Sequence, residues 1–539
     1  MGEKLENPYT VENMQQANEN LTFNGKSNGS ANIRTTHLYL KFKPQNEEEL
    51  DLIKNDTTLE WYDYPLDYEM VSSGLFYHDP EVPDDKPTYQ YVAVEIDKDL
   101  PNVAYEVLAE LYLPEEDKEL TNDKNLANTF SYALEKEVLQ ITNNYLEPEQ
   151  GANNAKTSSS SWNPAGRVRV WDDVIGTHTT IIRTFDHWEY YDCNGGGEES
   201  IQMQKIILPP DKQCKRAIYR YDTSDPLPGS NIALQGVKVR ARSWFKTKTT
   251  LTDANGNFYI SSFNNSVNYS IKWERNDYDI RDGLFVQAYF TGPKKKGNWN
   301  VDLVSGKALR HATIHRAAHR YFYQNIGGLL SPTLSGRLKL SYLDKSGTSI
   351  NWGNIIILLP NIRIYGKEPS SERILNTNEI FSTTIHEITH TTHIDLVGLV
   401  DFGLSGELVR ESWADAVEWH ISKLEYNERG EPDYDDPRFN VLTDPLGRTP
   451  DHKQWWDNTR SSEYTPIFID LVDDFDQPGV GPDDRVTGYT MQMLELRHLR
   501  DAASITSRLN ALKNSLKRNK PFGVTDQEIN DFMSYFYNL

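Results

Sequence analysis

The segment between residues 381 and 390 carries side chains whose types and spacing suit metal chemistry. It contains His386-Glu387-x-x-His390 in a run that we expect to be helical. Residues four apart share one face of a helix, so the two imidazoles can point at the same ion. Two neutral imidazoles on one face suit zinc. Glu387 lies beside them, where its carboxylate can accept a proton from a zinc-bound water.

A tetrahedral zinc site needs a third protein ligand, and residues 410–415 supply a candidate. Glu411 lies 21 positions after His390, and Asp415 follows Glu411 by four positions, so both carboxylates share a helix face. We predict that Glu411 is the third ligand. Because metal-bound histidines usually donate their second ring N–H to an acceptor, we predict that role for Asp415.

These positions resemble the motif of the gluzincins, the thermolysin-like zinc metallopeptidases. In that family His-Glu-x-x-His is followed, after a short connection, by Glu-x-x-x-Asp on a second helix. The resemblance covers roughly residues 308–539 and is sharpest at His386, Glu387, His390, Glu411 and Asp415. It implies a domain that holds one zinc ion and hydrolyses a peptide or protein substrate. The alternative is a helix that carries these side chains on a solvated face.

The resemblance also implies a Tyr or His that stabilises the oxyanion formed during hydrolysis. The candidates are Tyr464, Tyr489 and His498. It further implies a strand before the active-site helix that forms the rim of a cleft, where an extended peptide adds to the sheet edge. Residues near Asn351–Asn361 are the candidates for this strand.

Four other histidines favour a structural interpretation. His393 lies about 10.5 Å further along the helix axis than His386, beyond the reach of an ion held there, so we predict a supporting or packing role. A predicted helix over Leu309–Tyr323 carries three more at four-residue spacing, namely His311, His315 and His319. A second metal site is the alternative. No carboxylate lies near them in sequence, so we predict partly buried histidines that pack behind the site.

Composition excludes several classes of partner. The chain has 539 residues and a net charge of -23, with 79 acidic against 56 basic residues. This charge disfavours non-specific binding to nucleic acid or to an anionic membrane. No apolar run is long enough to span a bilayer. The N-terminus lacks a signal-peptide pattern, and we expect an exported bacterial protein (cell-surface, periplasmic or secreted) whose signal is absent here. A cytoplasmic protein is the alternative.

The patterns predict a multidomain α+β protein. Residues 1–33 are rich in Asn, Gln, Ser and Gly and predict a disordered leader, which would suit a lipoprotein tether although it holds no cysteine. The remaining predicted units are a small α+β domain (34–148), a linker (149–163), a β-sandwich (164–275), a connector (276–307) and a zincin-like metallopeptidase domain (308–539). Residues 34–148 could serve as a propeptide, an inhibitor or a binding module.

Periodicity predicts the elements of the first domain. Strands are expected over 35–43, 59–62 and 89–96, and helices over 46–52, 102–111 and within 122–148. In the next domain, Leu-x-Gly-Val-x-Val at 234–239 precedes Thr-x-x-Asp-x-x-Gly-x-Phe at 250–258. This run resembles the carboxypeptidase regulatory-like (transthyretin-like) β-sandwich, a module found beside catalytic domains in exported bacterial proteins. Its glycines and turn residues build the fold and carry no chemistry.

Two further features leave alternatives open. Cys193 and Cys214 could close a disulfide in an oxidising compartment or remain two thiols. The acidic loops at 431–437 and 473–484 offer hard oxygen ligands for Ca²⁺, but neither matches a twelve-residue EF-hand loop, so we favour solvated loops.

The combined patterns favour a zinc metallopeptidase. The alternative from another class is a multi-module surface binding protein whose zincin-like domain is inactive or holds zinc structurally. The presence of Glu387 favours the enzyme, since a structural zinc site has no use for a base. Hydrolysis of a bond other than a peptide bond is a third alternative.

Overall fold

The structure is a computed structural model, and it describes most of the chain. The described residues are 2–23, 31–71, 77–83, 86–114, 130–145, 162–178, 181–192, 213–223, 227–283, 286–333, 336–351, 361–369, 371–435, 453–454, 463–475, 485–502 and 508–537. In these ranges the fold is mixed α+β with several separate sheets, which confirms the predicted class. The assignment of individual domains to families stays a prediction.

The N-terminal part combines three helices with a three-stranded antiparallel sheet of order β2-β1-β3. Its elements are α1 (Val11–Phe23), β1 (His37–Phe42), α2 (Glu47–Lys54), β2 (Gln90–Glu95), β3 (Tyr105–Leu111) and α3 (Phe130–Ile141). Leu40 and Phe42 of β1 are buried, as the alternating pattern predicts. The predicted start of α2 is confirmed, because the Asn46 side chain accepts a hydrogen bond from the Glu49 N–H at 2.9 Å.

Three expectations for this part differ from the structure. Residues 102–111 were expected to be helical, but β3 pairs antiparallel with β1, and this long-range pairing overrides a local pattern that fits either element. Residues 11–23, expected within a disordered leader, form α1 because Met14, Ala17 and Leu21 share one buried face against α3. The strand expected at 59–62 is reduced to a bridge between Tyr62 and Tyr91.

Two four-stranded sheets follow. Their strands are β4 (Ala165–His178), β7 (Leu227–Ala233), β8 (Lys238–Ser243), β9 (Lys246–Leu251), β10 (Asn257–Tyr259), β11 (Val267–Lys272), β14 (Tyr289–Lys295) and β15 (Trp299–Leu303). One sheet has the order β10-β4-β15 with β7 also paired to β4, and the other has the order β14-β11-β8-β9. Phe258 and Trp299 of the first sheet contact Tyr269 of the second, so the two sheets share one core. Residues 253–256, within the motif at 250–258, form a turn in which Gly256 adopts φ +74°.

A separate antiparallel hairpin joins β5 (Ile181–Asp192) to β6 (Gln213–Thr223). Cys193 and residues 149–161 of the expected linker (149–163) lie outside the described residues. The question of a Cys193–Cys214 disulfide therefore stays open.

The third large sheet has five strands in the order β13-β12-β16-β18-β17. Its strands are β12 (Tyr278–Asp282), β13 (Val286–Gln287), β16 (Leu338–Ser346), β17 (Ile350–Asn351) and β18 (Asn361–Lys367). The segment 276–307, expected to be a connector, instead supplies β12 and β13 to this sheet and β14 and β15 to the two preceding sheets. The assignment of these strands to their sheets depends on hydrogen bonds to distant strands. The sequence of the segment itself does not indicate which strands those are. Most of the rim strand expected near Asn351–Asn361, namely residues 352–360, lies outside the described residues.

The helices of this part of the chain are α4 (Gly306–Tyr323), α5 (Thr377–Val397), α6 (Leu399–Ser405), α7 (Glu407–Glu428), α8 (Ile467–Asp470), α9 (Met491–Met493), α10 (Leu499–Ala502), α11 (Arg508–Arg518) and α12 (Asp526–Phe536), with a π-helical turn over Leu494–His498. Two of them, α4 and α5, pack against the sheet, and α5 and α7 carry the candidate site. The predicted helices at 309–323 and around 381–390 are confirmed. At the start of α5 the Glu379 carboxylate accepts the Asn376 N–H at 2.7 Å, which fixes the first turn.

A buried ion pair connects the sheets to the helices. Asp172 of β4 lies 2.7 Å from the guanidinium of Arg316 on α4, and the Tyr426 hydroxyl of α7 donates to the same carboxylate at 3.1 Å. One hydrophobic core continues across this junction from Val170 to Phe381. Helices α5 and α7, which carry the predicted ligands, are therefore packed against a fixed scaffold.

Candidate metal centre

Two neighbouring helices bring three predicted ligands together. His386 and His390 lie one turn apart on α5, and Glu411 projects from α7. Glu411 Oε2 is 3.3 Å from His386 Nε2 and 3.2 Å from His390 Nε2. All three ligand atoms lie within 4.8 Å of one another. These residues form a cluster that can hold a metal ion.

The separations within this cluster suit a small tetrahedral ion. Ligand atoms at about 2.0–2.1 Å from a tetrahedral zinc lie about 3.3 Å apart. The two nitrogen-to-oxygen separations at Glu411 match that spacing. Burial opposes ionisation of Glu411, but hydrogen bonds from His386 and His390 outweigh it and hold the pKa of this carboxyl well below its usual value. Glu411 is therefore held as a carboxylate, which is the form that binds a metal ion.

Glu387 lies next to the first ligand and is 5% exposed. Burial raises the pKa of its carboxyl, whereas the nearby imidazoles of His386 and His390 act in the opposite direction. It belongs to neither of the ligand clusters found among the described residues. Its carboxylate is thus placed beside the ion site without being one of its ligands.

The second nitrogen of His386 faces two carboxylates rather than one. Its Nδ1 lies 3.1 Å from Asp415 Oδ1 and 3.1 Å from Glu418 Oε2. The ammonium of Lys453 bridges both acids, at 3.0 Å and 3.1 Å. Burial lowers the pKa of His386, but the hydrogen bonds that its ring donates to the surrounding carboxylates outweigh burial and raise that pKa well above its usual value. The acceptor role predicted for Asp415 fits this geometry, and Glu418 shares it.

Sequence reasoning missed Glu418 and Lys453. Glu418 lies seven residues after Glu411, so Glu411, Asp415 and Glu418 occupy successive turns on one face of α7. That spacing was available in the sequence and could have identified Glu418. Lys453 carried no such signal, because it reaches Asp415 from a segment 38 residues away.

Of the three candidates for the oxyanion role, the structure brings one to the cluster. The Tyr464 ring lies 6.2 Å from the His386 ring, centroid to centroid, and is 41% exposed. Burial raises the pKa of Tyr464 to about 12, with Glu411 acting in the same direction. Tyr489 instead donates to the Leu516 carbonyl at 2.9 Å, and His498 contacts Ser515 Oγ at 2.8 Å. These two residues pack against α11.

The remaining histidines occupy packed positions. His393 is buried with its ring edge against Phe402, and burial lowers its pKa to about 3. In α4, His315 contacts the Tyr278 hydroxyl at 3.0 Å and the Gln235 carbonyl at 2.9 Å. Burial lowers the pKa of His311 and His315 to about 3 and that of His319 to about 4. Neutral buried imidazoles agree with the packing role predicted for them.

Over the described ranges, the possible metal clusters are confined to this site. One comprises His386, His390 and Glu411, and the other comprises His386, Asp415 and Glu418. In the first acidic loop Glu431 accepts the Gly176 N–H at 2.9 Å. Residues 436–437 of the first acidic loop and 476–484 of the second lie outside the described residues, so the preference for solvated loops over Ca²⁺ sites stays a prediction.

Comparison with known proteins gives no independent assignment. No model of a protein family matches the sequence, and no curated protein matches it. Among the described residues, no helix has the length and apolar character needed to cross a bilayer. The function is therefore inferred from the site alone.

Proposed function

We propose that this protein is a zinc-dependent hydrolase of peptide bonds, a gluzincin-like metallopeptidase. The observation that carries the proposal is the convergence of two imidazoles and Glu411 beside the carboxylate of Glu387. Two histidines and one glutamate are a ligand set typical of catalytic zinc, and they leave one position of the tetrahedron for water or substrate. When bound, zinc supplies a Lewis acid that polarises a carbonyl and acidifies a water.

Glu387 is the proposed general base. Its buried carboxylate lies next to His386 and belongs to neither ligand cluster. It would receive the proton of the attacking water at a carboxylate oxygen and pass it to the leaving amine. A group that both accepts and returns a proton works best when its pKa is near the working pH. Burial raises the pKa of Glu387 in that direction.

Asp415, Glu418 and Lys453 would orient the first ligand. Both carboxylates lie within hydrogen-bond distance of His386 Nδ1, and a proton held there would leave the Nε2 lone pair free to face a bound ion. The Lys453 ammonium lies between the two acids and offsets their mutual repulsion. Tyr464 is the proposed oxyanion donor, because its high pKa keeps the hydroxyl protonated beside the cluster.

The sheet next to α5 offers a place for an extended substrate. Strand β17 is the last strand in the order of the five-stranded sheet and pairs antiparallel with β18 through Ile350 and Asn351. Helix α5 packs against β17 and β18. We propose that a substrate peptide adds its backbone hydrogen bonds at this edge.

Removing the metal should abolish activity. The purified chain is expected to contain one zinc per molecule by elemental analysis and to cleave members of a peptide library. A chelator should stop cleavage, and added zinc should restore it. Bound zinc without cleavage would favour the alternative of a surface binding protein. Cleavage that continues after metal removal would contradict the proposal. Turnover of non-peptide substrates alone would change the proposed substrate class.

Glu418→Gln should weaken zinc binding by about tenfold, within the range found for groups that support metal-bound histidines. The substitution keeps the shape of the side chain but removes one of the two charges facing His386 Nδ1. Competition with a chromophoric chelator measures the zinc affinity. Glu407→Gln is the matched control on the same helix, since its carboxylate is exposed and lies 3.8 Å from Arg410. Equal zinc affinity in both variants would limit Glu418 to a packing role.

A further inference from the structure

A cavity lies apart from the metal centre, beside the N-terminal part of the chain. It has a volume of about 340 Å³, and none of its lining residues belongs to the site described above. Its walls come from the end of α2 and the loop that follows, from β8, β9 and β11, and from the residue before β16. Five cationic side chains line it, against two carboxylates, and these cations are Lys54, Lys238, Lys272, Arg275 and Arg337.

One buried carboxylate lies among three of these cations. Glu274 accepts from Lys272 at 2.9 Å, from Lys238 at 3.0 Å and from Arg337 at 3.3 Å. The second carboxylate, Asp56, is held at 2.9 Å by Lys98. Glu60 also forms an ion pair with Lys238, so two carboxylates face these three cations. Lys272 is only 3% exposed, so water compensates little of its charge.

The other two cations contact neutral groups. Lys54 Nζ donates to Gln287 Oε1 at 3.2 Å. Arg275 donates to the Gly236 carbonyl at 3.0 Å, and its guanidinium lies 4.3 Å from the centre of the Tyr323 ring. The cavity therefore concentrates positive charge in a chain whose net charge is -23. Such a concentration is typical of a site that attracts an anion.

A purely structural charge network is the competing explanation. Glu60 forms an ion pair with Lys238, and Asp63 and Asp279 act electrostatically on Lys54. Asp63 and Asp279 are buried, whereas the open side of the cavity is formed by exposed residues such as Thr57, Thr249 and Asn276. These acids offset part of the positive charge of the cavity, whereas the partly exposed Arg275 donates to a carbonyl rather than to an acid.

We propose that this cavity binds a small polyvalent oxyanion bearing phosphate or carboxylate groups. Guanidinium groups such as those of Arg275 and Arg337 form paired hydrogen bonds with such oxygens, and lysine ammonium groups add point charges. The hydroxyls of Thr249 and Thr250 supply further donors. A bound anion would link the N-terminal part to the strands behind it and so stabilise that junction. The proposal is independent of the proposed peptidase activity.

Calorimetric titration of the full chain tests this proposal. Zinc is removed beforehand, because it would itself bind the probes. Pyrophosphate and citrate are titrated separately, so that the phosphate and carboxylate forms of the ligand are distinguished. We expect binding of one equivalent that weakens as salt rises, together with an increase in the thermal midpoint.

A pair of substitutions at Thr250 assigns the binding to this cavity. Thr250→Glu adds a negative charge at the lining and should weaken binding by about tenfold or more, because like charges a few ångströms apart repel strongly. Thr250→Gln has the same size without the charge and should stay within about threefold of the unmodified chain. Thermal unfolding without ligand checks that both variants fold. Absence of binding by both probes at millimolar concentration would overturn the proposal, and so would equal binding by the two variants.

Discussion

Glu387→Gln should lower peptide cleavage by about 10²- to 10⁴-fold, the usual contribution of a general base. The amide keeps the size of the side chain but cannot accept the water's proton. Zinc content should be unchanged, because the ligand atoms belong to His386, His390 and Glu411. The measurements are the initial rate of cleavage of a fluorogenic peptide and the zinc content of the same preparation.

The control for this variant is Asp395→Asn, which makes the same change of acid to amide at an exposed position of α5. It should cleave at the rate of the unmodified chain. Loss of zinc in Glu387→Gln would show that Glu387 supports the metal rather than the proton transfer. Full turnover with zinc retained would remove Glu387 as the base.

Most of the metal cluster could be predicted because its information is local. The spacings His386 to His390 and Glu411 to Asp415 each span one helical turn, so the sequence alone places each pair on one face. Glu418 follows the same spacing on α7. Only the meeting of the two helices is non-local, and the motif of a known family supplied that step.

The residues that escaped prediction depend on distant partners. Lys453 lies in a turn 38 positions after Asp415, and a turn has no periodicity that fixes the direction of a side chain. Tyr464 could not be separated from Tyr489 and His498, since all three follow α7 in sequence and only tertiary packing directs them to different neighbours.

The same distinction explains the fold. Strand β1 and helix α2 carry clear local signals, namely alternation and the capping side chain of Asn46. Strands β3 and β12 are determined by their pairing partners, β1 and β16. In both pairs the partnered residues lie 60 or more positions apart in the sequence. The energy of such pairing depends on the partner strand, so the sequence of one paired segment does not predict it.

Glu411→Gln should weaken zinc binding more than about 100-fold, beyond the range for groups that only support a ligand, because it removes the one charged ligand of the first cluster. Cleavage should fall in parallel and recover partly at high zinc concentration, which distinguishes lost affinity from lost chemistry. The chelator competition that measures Glu418→Gln applies here too, and Glu407→Gln again serves as the control one turn earlier on α7.

An unchanged zinc affinity of Glu411→Gln would mean that another residue is the third ligand. The structure disfavours the two other histidines near the site, His393 and His420. His393 is packed against Phe402. His420 lies under Gly327, where a Cβ would approach its Nε2 to 2.1 Å, and burial lowers its pKa to about 4. The other available set is His386 with Asp415 and Glu418, which Lys453 now bridges. Zinc in that set would have to displace the Lys453 ammonium. If Glu411→Gln kept its zinc and the double variant with Glu418→Gln lost it, the ion would lie on the Nδ1 side of His386. That position would be away from Glu387.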